Sequence, residues 1–141
     1  CLKQVLDTNP THGRARLFMK DIQAETGTSY LFIAHDLSMV KYISDRIGVL
    51  HLGHLVETGT KEEIFDRPIH PYTRSLISAI PCPNPRVEKQ RVSLHYDYAE
   101  SGIDYGKGAF HLVGGTHRVL ATDEEYARFL EEAERNPNPA Q

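Results

Sequence analysis

Six residues, Ser29–Ala34 (SYLFIA), carry aromatic and aliphatic side chains on both faces, and the run breaks abruptly at His35–Asp36. A segment apolar on both faces suits a strand buried inside a parallel sheet better than one with a wet side. Leu37, Val40 and Ile43 follow at i, i+3 and i+6, the spacing of a short helix. The sequence therefore predicts an α/β fold, with Ser29–Ala34 as a buried parallel strand. In open α/β sheets, ligands collect just beyond the carboxyl ends of the parallel strands. A histidine there can reach a bound phosphate, and its charge adjusts near neutral pH. The residues alone leave two readings of His35: a group that contacts phosphate, or a side chain that merely satisfies a turn.

The other elements are announced by local signals. Ala15, Phe18 and Ile22 share one helical face, and Gly27 stands where a helix C-cap is expected, so a helix is predicted over Arg14–Glu25. Arg46–Leu52 and His54–Thr58 read as two strands of a tight hairpin turning at Gly53. Thr60 with Glu63, and Thr122 with Glu125, have capping-box spacing and each should open a helix. Pro71 should open another, with Tyr72, Leu76 and Ile80 at four-residue steps. From Pro81 a Pro-rich, charged linker leads into an aromatic, Gly-punctuated stretch of no clear periodicity, and HRVLAT reads as a strand. This change of character predicts two domains, 1–81 and 82–141.

Charge and cysteine content exclude several classes of function. A net charge of -3 gives no electrostatic footprint for nucleic acid. Cys1 and Cys82 form no CxxC pair, which argues against a disulfide framework or a cysteine zinc site and fits a reducing cytosol. No apolar run approaches the roughly 20 residues that span a bilayer, so membrane association would come through a partner. His51 and His54 (HLGH), with His70, suggest a metal cluster, but strand spacing is expected to put the first two on opposite faces. No carboxylate or cysteine completes a tetrahedral set, and no metal is predicted.

The stretch YLFIAHDLSMV resembles the switch-histidine loop of ABC-transporter ATPases, and SDRIGVLHLGHLVETGTKEEIFDRP continues the likeness without a gap. The following HPYTRSLISAIP is similar to the His-Pro-Tyr segment of subunits that energise oligopeptide, dipeptide and nickel importers. The resemblance covers roughly residues 16–85. It implies the C-terminal part of a RecA-like ABC ATPase core over 1–81 and the family's C-terminal extension over 82–141. It also implies that His35 is the switch histidine on the γ-phosphate of ATP, that Asp36 lies at the dimer interface, and that His70, Pro71 and Tyr72 mark the family. The intact family protein would use ATP and Mg, pair with a second ABC ATPase subunit and dock on transmembrane permease subunits. It would sit in the cytoplasm at the inner face of the membrane. GTHRVLATDEE weakly echoes the Gly-His-x-Val strand that closes many such extensions. Some relatives hold an iron–sulfur cluster there, but Cys82 stands alone and gives no cluster.

The sequence contains no GxxxxGK[ST], no four-apolar-then-Asp-Glu run and no Leu-Ser-Gly-Gly-Gln signature. Where the family has Ser-Ala-Leu-Asp before the first helix, this chain reads DTNPTHGRA. The expectation is a fragment, by truncation or a shifted start, that binds no ATP alone because one histidine cannot replace a phosphate-cradling loop. Two other readings stay open: a non-catalytic docking module, and an inactive truncated product.

Overall fold

The computed structural model describes residues 10–34, 37–80 and 94–136. They fall into two compact units divided between Ile43 and Ser44, the second taking in 44–80 and 94–136. In the first unit, α1 (Pro10–Thr26) is followed by Gly27 at a φ of 67°, whose N–H reaches the Gln23 carbonyl at 2.9 Å. That is the expected glycine stop. α2 (Leu37–Ile43) is the short helix that the spacing predicts.

Residues 29–34 correct the sequence reading. They form no strand, and Leu31 and Ile33 are 91% and 89% exposed. The reason is physical: a strand apolar on both faces is stable only between neighbours that accept its hydrogen bonds and cover both faces. Among the described residues no strand lies beside it. The apolar pattern is real, but the described residues contain no parallel sheet to receive it.

The second unit is a four-stranded antiparallel sheet in the order β1-β2-β4-β3. β1 (Arg46–His51) and β2 (His54–Thr60) close through a two-residue turn in which Leu52 and Gly53 both take positive φ, 48° and 81°. That is the hairpin turn whose twist matches its strands. α3 (Lys61–Asp66) opens with the Thr60–Glu63 capping box, and α4 (Pro71–Ser78) with Pro71 in its first turn. A short turn of helix, α5 (Tyr98–Ser101), precedes β3 (Ala109–Gly114) and β4 (His117–Ala121). The second capping box, Thr122–Glu125, opens α6 (Asp123–Arg135). Both boxes satisfy amide groups that a helix start otherwise leaves unpaired.

β2 pairs with β4, so a strand before the linker and a strand after it share one sheet. The inward face carries Ile47 and Val49 of β1 and Val119 and Ala121 of β4, with α3, whose Ile64 and Phe65 are buried, packed on the β1–β2 hairpin and α6, whose Phe129 and Ala133 are buried, packed on β4. The β1–β2 register slips by one residue after Val49, so Val56 and Glu57 are consecutive and both fully buried. A bulge of this kind re-aims a side chain, and here it turns Glu57 into the core. No described helix is long and apolar enough to cross a membrane.

Candidate functional site

His35 and Asp36 lie outside the described residues. The described flanks are the exposed run ending at Ala34 and the start of α2 at Leu37. Of the other predicted residues, His70, Pro71 and Tyr72, it is His70 whose N–H bonds Glu57, a buried carboxylate that sequence reasoning missed.

Glu57 is wholly buried. Its Oε1 accepts from the Ile69 N–H at 2.8 Å and bonds His117 Nε2 at 2.6 Å, while Oε2 accepts from the His70 N–H at 3.0 Å. One carboxylate thus joins the hairpin, the entry to α4 and β4. A buried anion is tolerable only when its oxygens are filled this way. Arg74 adds charge close by. It is almost fully buried, donating to the Pro68 carbonyl at 3.4 Å and the Asn136 carbonyl at 2.9 Å. Burial lowers its pKa, while Glu132 and Glu57 oppose that shift.

His70 is also fully buried and is the N-cap of α4, its Nδ1 accepting from the Tyr72 N–H at 3.1 Å. That geometry requires the neutral ring with Nδ1 unprotonated. Burial holds its pKa down to about 3, with a smaller contribution from His51. Its Nε2 and the Thr73 hydroxyl have no hydrogen-bond partner among the described residues. The ring stands edge-on to Phe129, with centroids 5.4 Å apart. Pro71 is in the first turn of α4, where its missing N–H costs nothing. Tyr72 lies at 4.0 Å, centroid to centroid, over His51.

His51 and His54 are directly opposed across the hairpin, not on opposite faces as strand spacing suggested. The two-residue turn leaves them as the closing pair, and both rings lie near Tyr105, at 5.8 and 5.3 Å. His51 Nδ1 bonds the Tyr105 hydroxyl at 2.8 Å, and that hydroxyl meets the Tyr96 hydroxyl at 3.1 Å. Burial, and then the Tyr96 bond, raise the Tyr105 pKa. At the other end of the hairpin, where Arg46 pairs with Thr60, Glu63 accepts from the Thr60 N–H at 2.8 Å and the Thr116 N–H at 3.0 Å, which hold its pKa down to about 2. Arg46 donates to the Thr116 hydroxyl at 2.8 Å.

The corner around Glu57 offers no reactive arrangement. The Glu57 oxygens are filled by the Ile69 and His70 amides and the His117 ring, and His70 Nδ1 is spent capping α4, while His70 Nε2 and the Thr73 hydroxyl stay without a partner among the described residues. The described residues also do not make a phosphate cradle. No described helix starts from a glycine-rich loop with a lysine at its head, and the Gly114–Gly115 pair sits at the β3–β4 turn.

Residues 56–100 match the family described as oligopeptide/dipeptide transporter, C-terminal region. The chain is 53% identical over 107 residues to the oligopeptide transport ATP-binding protein of Streptococcus mutans, covering 76% of this chain and 34% of that protein. It is 50% identical over 112 residues to the oligopeptide transport ATP-binding protein of Bacillus subtilis, covering 79% and 37%. A dipeptide transport ATP-binding protein of Lactococcus lactis is 50% identical over 107 residues, covering 76% and 34%. The chain is similar to one part of these oligopeptide and dipeptide transport ATP-binding proteins. It spans about a third of the length of these relatives, between 34% and 37%. The family match begins at Val56, so it takes in Glu57 and the His-Pro-Tyr segment but stops before His117.

One sequence signal could have exposed the buried corner. In HRVLA, period-two alternation puts His117, Val119 and Ala121 on one side. A histidine at an inward position needs a buried partner.

Proposed function

We propose that this chain is part of an ATP-binding subunit that drives oligopeptide or dipeptide import by ATP hydrolysis. The observation that carries the reading is identity of 50–53% to three transport ATP-binding proteins across three quarters of the chain. On this reading residues 1–81 derive from a RecA-like ABC ATPase domain and 82–141 from the C-terminal extension. His35 is the switch histidine on the γ-phosphate, and Asp36 faces a second ATPase subunit. ATP and Mg are held by the intact protein, which docks on permease subunits at the cytoplasmic face of the membrane. Alone, the chain binds no nucleotide. His70, Pro71 and Tyr72 act in stability or partner docking and spare the chemical step, a reading supported by the His70 N–H bound to Glu57 and the His70 ring capping α4.

The test is a chimera in which residues 16–141 replace the matching part of an intact importer ATPase. His35→Ala should leave ATP binding nearly unchanged, since the phosphate loop holds the nucleotide. Hydrolysis should fall roughly a hundredfold or more, the usual value of a positioned group. Hydrolysis at the parental rate would refute the role of His35. For the isolated chain, calorimetric titration with MgATP should show no heat of binding, and a micromolar dissociation constant would overturn that part.

A second reading, a non-catalytic docking module, draws support from the way β2 and β4 close one sheet around their own core. A parental hydrolysis rate together with lost permease binding in a chimera lacking 94–141 would favour it.

A further inference from the structure

The segment from Leu94 to the start of β3 makes no ladder with the sheet, so side chains must hold it down. Leu94 gives its N–H to the Ser78 hydroxyl at 2.9 Å, and Ile103 and Tyr105 are buried. Its aromatic rings converge on one residue, His51 at the end of β1. Tyr96, Tyr98 and Tyr105 stand edge-on to the His51 ring, with centroids at 5.6, 5.8 and 5.8 Å, and Tyr72 of α4 lies over it at 4.0 Å. His51 Nδ1 and the Tyr105 and Tyr96 hydroxyls form a chain of two hydrogen bonds, 2.8 and 3.1 Å long.

Such a chain has a direction. With Nδ1 unprotonated, Tyr105 donates to it and Tyr96 donates to Tyr105, so both hydroxyl protons are placed. An imidazolium has donors at both nitrogens. Tyr105 must then turn its proton toward Tyr96, and the Tyr96 proton loses its acceptor. Besides these tyrosines, the titratable groups facing His51 are His54, directly opposed across the hairpin, and His70. Asp104 acts on His54 and is paired with Lys107 at 3.2 Å. Among the described residues no acid forms an ion pair with His51. Protons on both His51 and His54 would set like charges directly opposite each other, which is unfavourable.

We propose that His51 is an acid-released clasp, which when neutral holds residues 94–108 against the hairpin and α4, and when protonated lets that strap lift while the sheet stays folded. Histidine is the side chain whose charge changes in mild acid. Burial lowers the His51 pKa below its ordinary 6.5, so the closed strap keeps its full stability above pH 6.5 and loses it as pH falls. The strap also walls in His70, whose ring lies 6.1 Å from Tyr96 and 5.9 Å from Tyr105. Lifting it removes part of the burial that keeps His70 neutral, and a proton there would break the Nδ1 cap of α4. One proton thus prepares the way for a second. The proposal is independent of the nucleotide reading.

Hydrogen exchange of the full chain between about pH 8 and about pH 5 tests it, with rates corrected for the intrinsic effect of pH. The bonded amides of Leu94, Ser101 and Ile103 should lose protection below pH 6.5, while those of β1, β2 and β4 keep theirs. The loss should reach at most about tenfold per pH unit for each proton taken up. His51→Asn places an acceptor that takes no proton near the position of Nδ1, and strap protection should then stay level across the range. His51→Phe keeps a ring without an acceptor, and the strap should be loose at every pH. Wild-type strap protection that holds or rises as pH falls, as it would if the tyrosine faces stabilised the imidazolium, would overturn the proposal. So would a loss shared equally by the sheet, the same loss in His51→Asn, or a tight strap in His51→Phe.

Discussion

Two apolar stretches of this chain meet opposite fates. Leu31 and Ile33 stand 91% and 89% exposed, while Val49 and Val56 of the hairpin are 5% and 0% exposed. Composition does not separate them. Val49 and Val56 have strands within hydrogen-bond reach and α3 packed on their hairpin, whereas Tyr30–Ile33 have no described strand beside them. An apolar strand is a request for neighbours, and its burial depends on whether the rest of the fold answers. The hairpin is answered from across the linker, where β4 supplies both the pairing and the histidine that fills Glu57.

The comparison is broken most severely at Glu57. Glu57→Ala leaves the amides of Ile69 and His70 and the ring of His117 without their buried acceptor. It should cost about 3–5 kcal/mol, the usual effect of breaking a buried pair, and urea melts of the second unit measure it. Acid should undo the same corner by a second route. In the unfolded chain His70 titrates near 6.5, but in the folded chain it stays neutral down to about 3. Between those values the unfolded state binds a proton that the folded state refuses. Its contribution is therefore complete above pH 6.5 and lost as pH falls toward 3. Melting curves across that window should show it, and His70→Gln should flatten the slope.

A smaller effect is expected at Gly115. Its φ is 58°, and an added Cβ would collide with Glu63 Oε1. Gly115→Ala should cost about 1–3 kcal/mol through backbone strain and loosen the β3–β4 turn, seen as faster exchange of the Thr116 amide. Least of all should follow from Leu31→Asp, within about 0.5 kcal/mol on melting. It should raise the concentration at which the chain stays in solution, because it removes exposed apolar surface.

What was legible in the sequence was local. The Thr60–Glu63 and Thr122–Glu125 boxes, the turn at Gly53, the stop at Gly27 and the Pro71 helix start each depend on residues a few positions apart, and all appear as expected. What was not legible depends on pairing across the chain. Glu57 and His117 are 60 positions apart, and the bulge that turns Glu57 inward exists only once β1 and β2 are in register. The 94–115 stretch has no periodicity because its aromatic rings pack on one another and on His51 rather than on one regular face. His51 and His54 were misjudged because face counting along a single strand fails across a two-residue turn.

Hydrogen exchange on the full chain under native conditions tests most directly whether neighbours, and not composition, decide these fates. The amides of β1, β2 and β4, together with those of Ile69 and His70, should be protected to one common level, as parts of one cooperative unit closed at Glu57. Residues 29–34 should exchange at the rate of an unstructured peptide. Comparable protection in 29–34, or a hairpin that opens separately from β4, would contradict the account.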